Sequence, residues 1–554
     1  MNTLARAILK TLAPKARIFE RSTENPVKTQ KKVLFEYLSR NRNTEYGKKY
    51  GFSGIRTISD YQKLVPMSDC DILHPYLTRM TKGEPNILTY DKPVFFGVTS
   101  GTTAKPKLIP VTKYSKSRKM EVMNLWGYYA WRDHPKALAG KILAVISSEI
   151  EGFTESKLPY GAESGHAYKN LMYVFKNFYA LPYQVFDIMD YEARYYCILR
   201  IAMEQNITSL DTLNPSTLII LCEKIKGWKE KIIEDIEKGA LNKNINLPEN
   251  IRKILERPLK PNPVRARVLR RILAEKKELL PKYFWPDLEL IGCWKAGPIR
   301  LYLKELPGYF GNTAVRDLGC LSTEARSSIP MSDDGAAGVL AIGANFYEFI
   351  PKEDMRKEKK RFLLCDQLEK GKEYFLVVTT PGGLYRYNID DIITVDGFFN
   401  KTPMIEFVQK GLNASSLAGE KLYESHICEA INKAAEKNKL LIEFFSACPR
   451  KGNPPGYVFL VEFEKEPPLG GAKALLKSIE EELYNQNAEY RDKRRQQLLR
   501  PPVLKIVKKG DFEKYRAKKI REGAHDSQFK VPELTSDPDF PNNFRIDKDI
   551  DYID

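Results

Sequence analysis

Short apolar runs alternate with helical patterns along most of this chain. Several runs carry consecutive apolar residues, as strands buried on both faces do. The predicted strands lie at residues 94–98, 141–147, 288–294, 339–343, 374–380 and 404–409. Helical periodicity is strongest at residues 114–131 and in the charged region 225–280. Strands that alternate with helices in this way predict an α/β body.

The pattern changes after a polar Gly/Asn/Ser stretch at residues 411–416. Beyond it the predicted elements are a helix at 424–436, strands at 441–447 and 457–463, a long charged helix at 473–495, a strand at 504–507 and a helix at 511–521. This order is typical of a small α+β domain. We therefore predict a large domain over residues 1–410, a linker at 411–416 and a small mobile domain over 417–554.

The composition of the chain limits which class of protein it can belong to. The 554 residues exceed what one hydrophobic core holds, and 43% hydrophobic with 29% charged residues is typical of a soluble globular protein. Residues 1–19 mix Arg and Lys with apolar positions and lack a cleavage site, so we expect an amphipathic helix of a cytoplasmic protein without stable membrane insertion. Eight isolated cysteines and five dispersed histidines predict neither a disulfide framework nor a transition-metal site.

The net charge of +18 allows several kinds of partner. It fits a nucleic acid, a membrane surface or a field that favours anionic small molecules. Basic residues concentrate at 491–530, but acidic residues are mixed with them, and no RNA-recognition signature, zinc finger or repeat accompanies them. We interpret the region as a solvated basic surface and expect no nucleic-acid partner, although nucleic-acid binding stays a weak alternative.

Three segments carry candidate chemistry. In VFFGVTSGTTAKPKLIPVT, at 94–112, a strand is followed at once by hydroxyls, a glycine and lysines, which suits either a phosphate-binding loop or a plain turn; the spacing does not fit an ordinary P-loop. In RDLGCLSTEARSSIP, at 316–330, Ser322, Thr323 and Glu324 suit a phosphate with its Mg²⁺, or a helix N-cap. In GGLYRYNIDDIITVDGF, at 382–398, Asp390 and Asp391 suit a ribose, or a tight turn.

These segments together resemble the adenylate-forming superfamily of acyl-CoA synthetases, peptide-synthetase adenylation domains and luciferase. TSGTTAKPK is similar to its phosphate loop, LSTE to its Thr-Glu motif and YRYNIDD to its YRxGD motif. A closer resemblance, to the Gretchen Hagen type acyl-acid amido synthetases, rests on SGTTAKPKLIPVT, NFYEFIP, GLYRY, GEKLYE and GDFEKYR with GAHDSQFKVPEL. It extends over nearly the whole chain.

The resemblance implies a large adenylate-forming domain with a mobile C-terminal domain. It implies a ligase that adenylates a small carboxylic acid with ATP and Mg²⁺ and transfers the acyl group to an amino acid or other amine. The residues implied are Ser100, Gly101, Thr102, Thr103 and Lys105 or Lys107 around the phosphates, Thr323 at the α-phosphate, Glu324 on Mg²⁺, Phe346 or Tyr347 near adenine, Asp391 on the ribose and Lys421 during adenylation. Lys530 lies near the place of the superfamily's late lysine, or is a surface lysine.

Departures from the family pattern keep alternatives open. Cys320 lies near where an aromatic residue often precedes the Ser/Thr-Glu pair, and Asn388 and Asp390 occur in a run that lacks the Arg and Gly of YRxGD. One alternative is therefore an inactive nucleotide-binding homologue, and another is a ligase with CoA or another thiol as acceptor. The aromatic region 149–187 suits an acyl pocket or, more often at such spacing, a core.

Overall fold

The structure is a computed structural model of the chain. It describes residues 3–99, 107–171, 173–355, 357–411, 414–415, 417–418, 420, 422–452, 454–495, 499–522, 529–535 and 537–552. The chain divides into two units, Met1–Phe407 and Val408–Asp554, and each is described by itself. The domain limits of the sequence analysis stay predictions.

The first unit contains fourteen of the described helices. They are α1 (Thr3–Ser22), α2 (Pro26–Asn41), α3 (Glu45–Lys49), α4 (Ile58–Leu64), α5 (Cys70–Thr81), α6 (Lys113–Asp133), α7 (Glu163–Lys169), α8 (Tyr173–Lys176), α9 (Tyr191–Ala202), α10 (Pro215–Lys238), α11 (Glu249–Glu256), α12 (Pro263–Lys276), α13 (Pro281–Phe284) and α14 (Leu306–Phe310). The charged region 225–280 is thus divided among three helices, because turns at Gly239 and before Pro263 end the helical periodicity.

The strands of the first unit form three sheets. The strands are β1 (Pro93–Thr99), β2 (Lys107–Thr112), β3 (Lys141–Val145), β4 (Gly152–Phe153), β5 (Pro159–Gly161), β6 (Ile207–Thr212), β7 (Leu290–Gly292), β8 (Ala314–Arg316), β9 (Ser328–Ile329), β10 (Gly338–Leu340), β11 (Phe346–Pro351), β12 (Glu373–Thr379), β13 (Tyr387–Phe399) and β14 (Thr402–Lys410). The last residues of β14 belong to the second unit. All six strands predicted for this part of the sequence are present. The α/β class is confirmed.

One of the three sheets is wholly parallel, in the order β3-β6-β7-β8. Its strands are apolar and buried because helices such as α9 and α10 cover it, and one core cluster joins strand residue Leu210 with helix residues Ile198 and Leu221. The carboxyl ends of parallel strands meet at one edge of a sheet, which is where α/β folds place their ligands.

The other two sheets hold the motif segments. β1 lies between β2 and β5 in the order β2-β1-β5-β4, and the other sheet has the order β11-β12-β13-β14-β10-β9. A bulge interrupts β13, since Phe375 pairs with Ile392 whereas Val377 pairs with Asn388. Asp390 has a φ of 62° there, and its N–H donates to Asn388 Oδ1 at 3.0 Å. The predicted tight turn is therefore a bulge within a continuous strand.

The second unit is built around a four-stranded sheet in the order β17-β18-β19-β20. Its elements are β15 (Ala414–Ser415), β16 (Leu422–Tyr423), α15 (Glu424–Asn438), β17 (Ile442–Arg450), β18 (Gly456–Phe463), α16 (Leu469–Gln486), α17 (Ala488–Arg495), β19 (Val503–Val507), α18 (Asp511–Arg521) and β20 (Ile546–Asp551). The prediction of one long helix at 473–495 was wrong. Asn487 leaves the helical conformation, and its Oδ1 accepts the N–H of Tyr490 to begin a second helix.

Across the part of the chain that the structure describes, every helix falls short of the length or the apolar character that crossing a bilayer requires.

Candidate active site

A cleft in the first unit brings residues of all three candidate segments together. β2 passes directly into α6, where Thr112 and Ser115 form a capping box that starts the helix one residue after the strand. The cleft is lined by Ile109, Pro110, Ser115, Arg118, Lys119, Glu324, Arg326, Ala344, Asn345, Thr380, Pro381 and Gly382. Lysine, arginine and glutamate side chains thus share a small enclosed volume.

The Ser-Thr-Glu motif is a hairpin turn. Ser322 N–H donates to Ala325 O at 2.8 Å, and Leu321 and Arg326 pair as an antiparallel bridge on either side. The helix N-cap interpretation was wrong, because the segment around Ser322 to Ile329 continues into strand β9 without a helical turn. The turn points Glu324 into the cleft.

The turn is docked on β1 through Thr323. Its Oγ1 donates to Val98 O at 3.2 Å. Gly97 makes this approach possible, since a Cβ built there would lie 2.4 Å from Thr323 Cγ2. Lys119 holds the same turn by donating to Thr323 O at 2.6 Å, and it pairs with Glu163 at 2.8 Å. The two motifs are therefore held together by direct contacts.

Glu324 is a carboxylate without a protein partner. It is 9% exposed, and across the described residues no hydrogen bond or ion pair reaches it. Burial raises the pKa of Tyr387, and the charge of Glu324 adds to this increase. Burial also raises the pKa of the Cys70 thiol, which the charge of Lys107 lowers and the charge of Glu324 raises. The charge of Glu324 thus acts on both Tyr387 and Cys70.

This arrangement fits a magnesium ion held mainly by a nucleotide. No group of three or more His, Cys, Asp or Glu residues that suits a metal occurs in the described part of the chain. Mg²⁺ commonly takes one or two carboxylates, with phosphate oxygens and waters completing its octahedron. Glu324 is a carboxylate that suits this role, since among the described residues no cation forms an ion pair with it.

Asp391 follows the bulge in β13 and is 9% exposed. Burial raises the pKa of the nearby Cys320 thiol, and the charges of Asp317 and Asp391 act in the same direction. The charge of Asp391 thus acts on Cys320. The Cys320 side chain has no aromatic ring on which a base could stack. Asp391 as a ribose ligand stays a prediction.

Phe346 and Tyr347 lie on β11 and are 0% and 1% exposed. Phe346 packs edge-on against Tyr61, with ring centroids 5.9 Å apart. The Tyr347 hydroxyl donates to Arg326 O at 3.2 Å and accepts from Asn345 Nδ2 at 3.0 Å. Of the two, Tyr347 touches residues that line the cleft; a role for either near adenine stays a prediction.

Several predicted residues lie outside the described residues. They are Ser100, Gly101, Thr102, Thr103 and Lys105 of the phosphate loop, and Lys421 of the GEKLYE motif. Lys107, the alternative to Lys105, begins β2. Within the second unit Lys530 is ion-paired, with its Nζ 2.5 Å from Glu533 Oε1 and 3.5 Å from Glu424 Oε1. Burial lowers the pKa of Lys530, but the charges of Glu533 and Glu424 outweigh this effect and hold the pKa above its ordinary value.

The region 149–187 divides between core and site. Tyr168, Val185 and Phe186 pack in the core beside the parallel sheet, which fits the core interpretation for these aromatics. Glu163, by contrast, reaches the cleft through Lys119.

Sequence reasoning missed Arg326, which lies two residues after Glu324. Its guanidinium lines the cleft and donates to the sulfur of Met123. Burial lowers its pKa, an effect opposed by Glu163 at a distance, and across the described residues no carboxylate forms an ion pair with it. An enclosed cation of this kind suits an anionic ligand. Its position beside the LSTE motif is the one signal in the sequence that could have pointed to it.

Comparison with known proteins decides the family. Models named GH3 family N-terminal domain, GH3 family central domain and GH3 family C-terminal domain match residues 15–315, 338–410 and 425–539. The chain belongs to the GH3 family. The resemblance to the Gretchen Hagen type enzymes is thereby confirmed.

This GH3 chain has relatives over nearly its whole length. It is 28% identical to the indole-3-acetic acid-amido synthetase GH3.3 of Arabidopsis thaliana, over 94% of this chain and 91% of that protein. It is 24% identical to the jasmonoyl-L-amino acid synthetase GH3.5 of Oryza sativa subsp. japonica, over 95% of each. Among solved structures it is similar to the GH3.15 acyl acid amido synthetase, with a TM-score of 0.86, 22% identity and 97% of each chain covered. The last likeness supports the fold.

Proposed function

We propose that this GH3 protein is an acyl-acid amido synthetase that uses ATP and Mg²⁺. It adenylates a small carboxylic acid and then transfers the acyl group to an amino acid or another amine. The observation that carries the proposal is the docked turn beside β1. It presents the Arg326 guanidinium together with the Glu324 carboxylate, which has no ion pair among the described residues. The names of the amido synthetase relatives from Arabidopsis and rice support it.

The chemistry needs both charges. A carboxylate is a poor electrophile, so its oxygen attacks the α-phosphorus of ATP, pyrophosphate leaves, and the acyl carbon gains AMP as a leaving group. Two anions must approach each other for this step, and fixed cations offset their repulsion. Arg326 suits the carboxylate, since a guanidinium binds it through two parallel hydrogen bonds. An amine then attacks the acyl carbon, loses a proton and releases AMP.

The nucleotide would be held by residues of several segments. We assign the phosphates to Ser100, Gly101, Thr102, Thr103 and Lys105 or Lys107, the α-phosphate to Thr323, Mg²⁺ to Glu324, the adenine to Phe346 or Tyr347, the ribose to Asp391, and the charge that completes adenylation to Lys421. Mg²⁺ would supply charge neutralisation at the phosphates. Glu324 and Thr323 are fixed for such roles by the contacts of their turn with β1 and Lys119.

We further propose that a small domain over residues 417–554 moves on a linker at 411–416 between the two half-reactions. All eight cysteines are unpaired, which suits a reducing compartment such as the cytoplasm.

The test is product analysis by mass spectrometry with ATP, Mg²⁺ and a panel of carboxylic acids, with and without amino acids. An amide together with AMP is the expected product. Thioester formed only when CoA is supplied favours a thiol ligase, and nucleotide binding without AMP favours an inactive homologue. Glu324→Gln and Asp391→Asn should each lower the adenylation rate at least a hundredfold, whereas Glu237→Gln, at an exposed pair with Arg270, should not.

A further inference from the structure

An aspartate at the carboxyl edge of the parallel sheet has no role in the chemistry above. Asp211 is the penultimate residue of β6 and lies between Ala144 of β3 and Gly292 of β7. Both pairing partners are small residues, so Asp211 carries the only long side chain of the three. Its Oδ1 is buried and has no hydrogen-bond partner, and across the described residues no ion pair involves it.

Apolar side chains lie on the Gly292 side of this carboxylate. A Cβ built on Gly292 would lie 2.5 Å from Asp211 Oδ1, 3.2 Å from the Trp126 ring carbon Cη2 and 3.3 Å from Leu318 Cδ2. These three side chains therefore converge on the bare backbone of Gly292. Burial raises the pKa of Asp211 to about 7. A carboxylate placed there without a partner is costly, which calls for a ligand that satisfies it.

One face of α6 connects Asp211 to the cleft. Lys119, Met123 and Trp126 have the spacing of residues that share a helix face. Lys119 contacts the Thr323 turn, Met123 contacts Arg326, and Trp126 reaches the surroundings of Asp211. The stretch from Lys119 to Trp126 rises about 10 Å along the helix axis. That distance matches a small acid with one ring and a short chain.

We infer that Asp211 binds the end of the acyl substrate that lies far from the carboxylate, and that this end carries a hydroxyl group. This inference rests on the proposed function, because it assigns the two ends of one substrate. Arg326 binds the carboxylate end, α6 lines the middle, and the Asp211 carboxylate accepts the O–H at the far end. Loss of such a bond is felt strongly, because the buried acceptor is then left unpaired.

The experiment compares matched acids that differ in one hydroxyl. The pairs are 4-hydroxybenzoate with benzoate, 4-hydroxyphenylacetate with phenylacetate, and 3-(4-hydroxyphenyl)propionate with 3-phenylpropionate. For the pair of fitting length, kcat/KM of pyrophosphate release should favour the hydroxy acid about tenfold or more. In Asp211→Val the ratio should fall to about one or invert, and Asp211→Asn, which keeps an acceptor, should retain part of it.

Two controls separate selectivity from folding. Asp211→Val should unfold at a higher temperature than the wild type, since it removes a carboxylate whose buried Oδ1 has no hydrogen-bond partner. Asp235→Asn alters a buried carboxylate that already accepts the Tyr196 hydroxyl at 2.8 Å, so it should keep the wild-type ratio. Equal ratios in the wild type and Asp211→Val for every pair would overturn the inference.

Failure of the proposed function gives a different result. If no acid releases pyrophosphate, calorimetric titration of the same six acids still tests Asp211 by binding. Tighter binding of a hydroxy acid to the wild type than to Asp211→Val supports the inference without turnover, and equal or absent binding overturns it.

Discussion

At the scale of single residues, the absence of a side chain at Gly97 positions the Thr323 turn. The Cβ of Gly97→Ala would overlap Thr323 Cγ2, so the turn would shift away from β1. We expect adenylation to fall at least tenfold while the unfolding temperature changes little. Thr323→Ser removes the clashing methyl but keeps the hydroxyl that bonds Val98 O. The double variant Gly97→Ala/Thr323→Ser should therefore recover activity in pyrophosphate-release assays; no recovery would contradict this packing.

Arg386, the arginine of GLYRY, is a structural clamp. It is 2% exposed, and its Nε and Nη2 donate to the two carboxylate oxygens of Glu348 at 2.9 and 3.0 Å. Its Nη1 donates to the carbonyl oxygens of Gln62 and Val65 at 2.8 Å, which ties β13 to the end of α4. Arg386, which belongs to one of the motifs that carry the family resemblance, therefore stabilises the fold.

Breaking this pair should be severe. Glu348→Ala leaves a buried guanidinium unpaired and should lower the free energy of unfolding by about 3–5 kcal/mol. The paired replacement Glu348→Leu with Arg386→Met should cost much less than the sum of the single changes. Urea unfolding of the two single variants and the double variant checks this, and strict additivity would show that the pair is not coupled.

At the scale of elements, Glu462 of β18 joins that strand to the start of α18. It is 1% exposed and accepts the N–H of Gly510 and, at 3.1 Å, that of Phe512. Burial raises the pKa of Glu462 from its ordinary value of 4.5 to about 7, although these two hydrogen bonds act to lower it. The folded state thus binds more protons between these pH values. Stability from this group is full below about pH 4.5 and is lost as pH rises through 7.

Glu462→Gln should remove that dependence. The unfolding temperature of the variant relative to the wild type should rise between pH 4.5 and 7 and stay level above about 8. Glu466→Gln, at an exposed pair with Lys548, should follow the wild type across the range. A difference between Glu462→Gln and wild type that is constant with pH would show that Glu462 titrates normally.

Strands with continuous apolar runs could be predicted from the sequence, whereas the buried strand β6, the edge strand β20 and the bulge in β13 could not. β18 is buried at every residue and was recognised by its continuous apolar run. β20 was missed because Ile546 and Ile550 are its only apolar residues, which suffices at the edge of a sheet. The bulge at Asp390 was missed because a positive φ in a non-glycine residue leaves no pattern in the sequence.

At the scale of the whole molecule, the motifs predicted the family because their order along the chain is specific, and the matched family models confirm it. Contacts between distant segments were not predictable. Arg326 and Asp211 become notable only in the folded structure, where among the described residues no carboxylate pairs with Arg326 and the buried Oδ1 of Asp211 accepts no hydrogen bond. The proposed nucleotide contacts are thus signalled by local motifs, whereas the proposed acyl contacts depend on tertiary packing.

The division of the chain after Phe407 lies close to the Gly/Asn/Ser stretch at 411–416, where we propose the hinge. Gly411→Pro fixes φ at one position of that stretch and so restricts rotation of the small domain. We expect amide formation to slow at least tenfold, while the Kd for ATP, measured by calorimetry, stays within twofold of the wild type. Gly470→Pro, near the start of α16 in the second unit, is a matched control that alters no linker. Unchanged turnover in Gly411→Pro would place the moving joint elsewhere or show that none is needed.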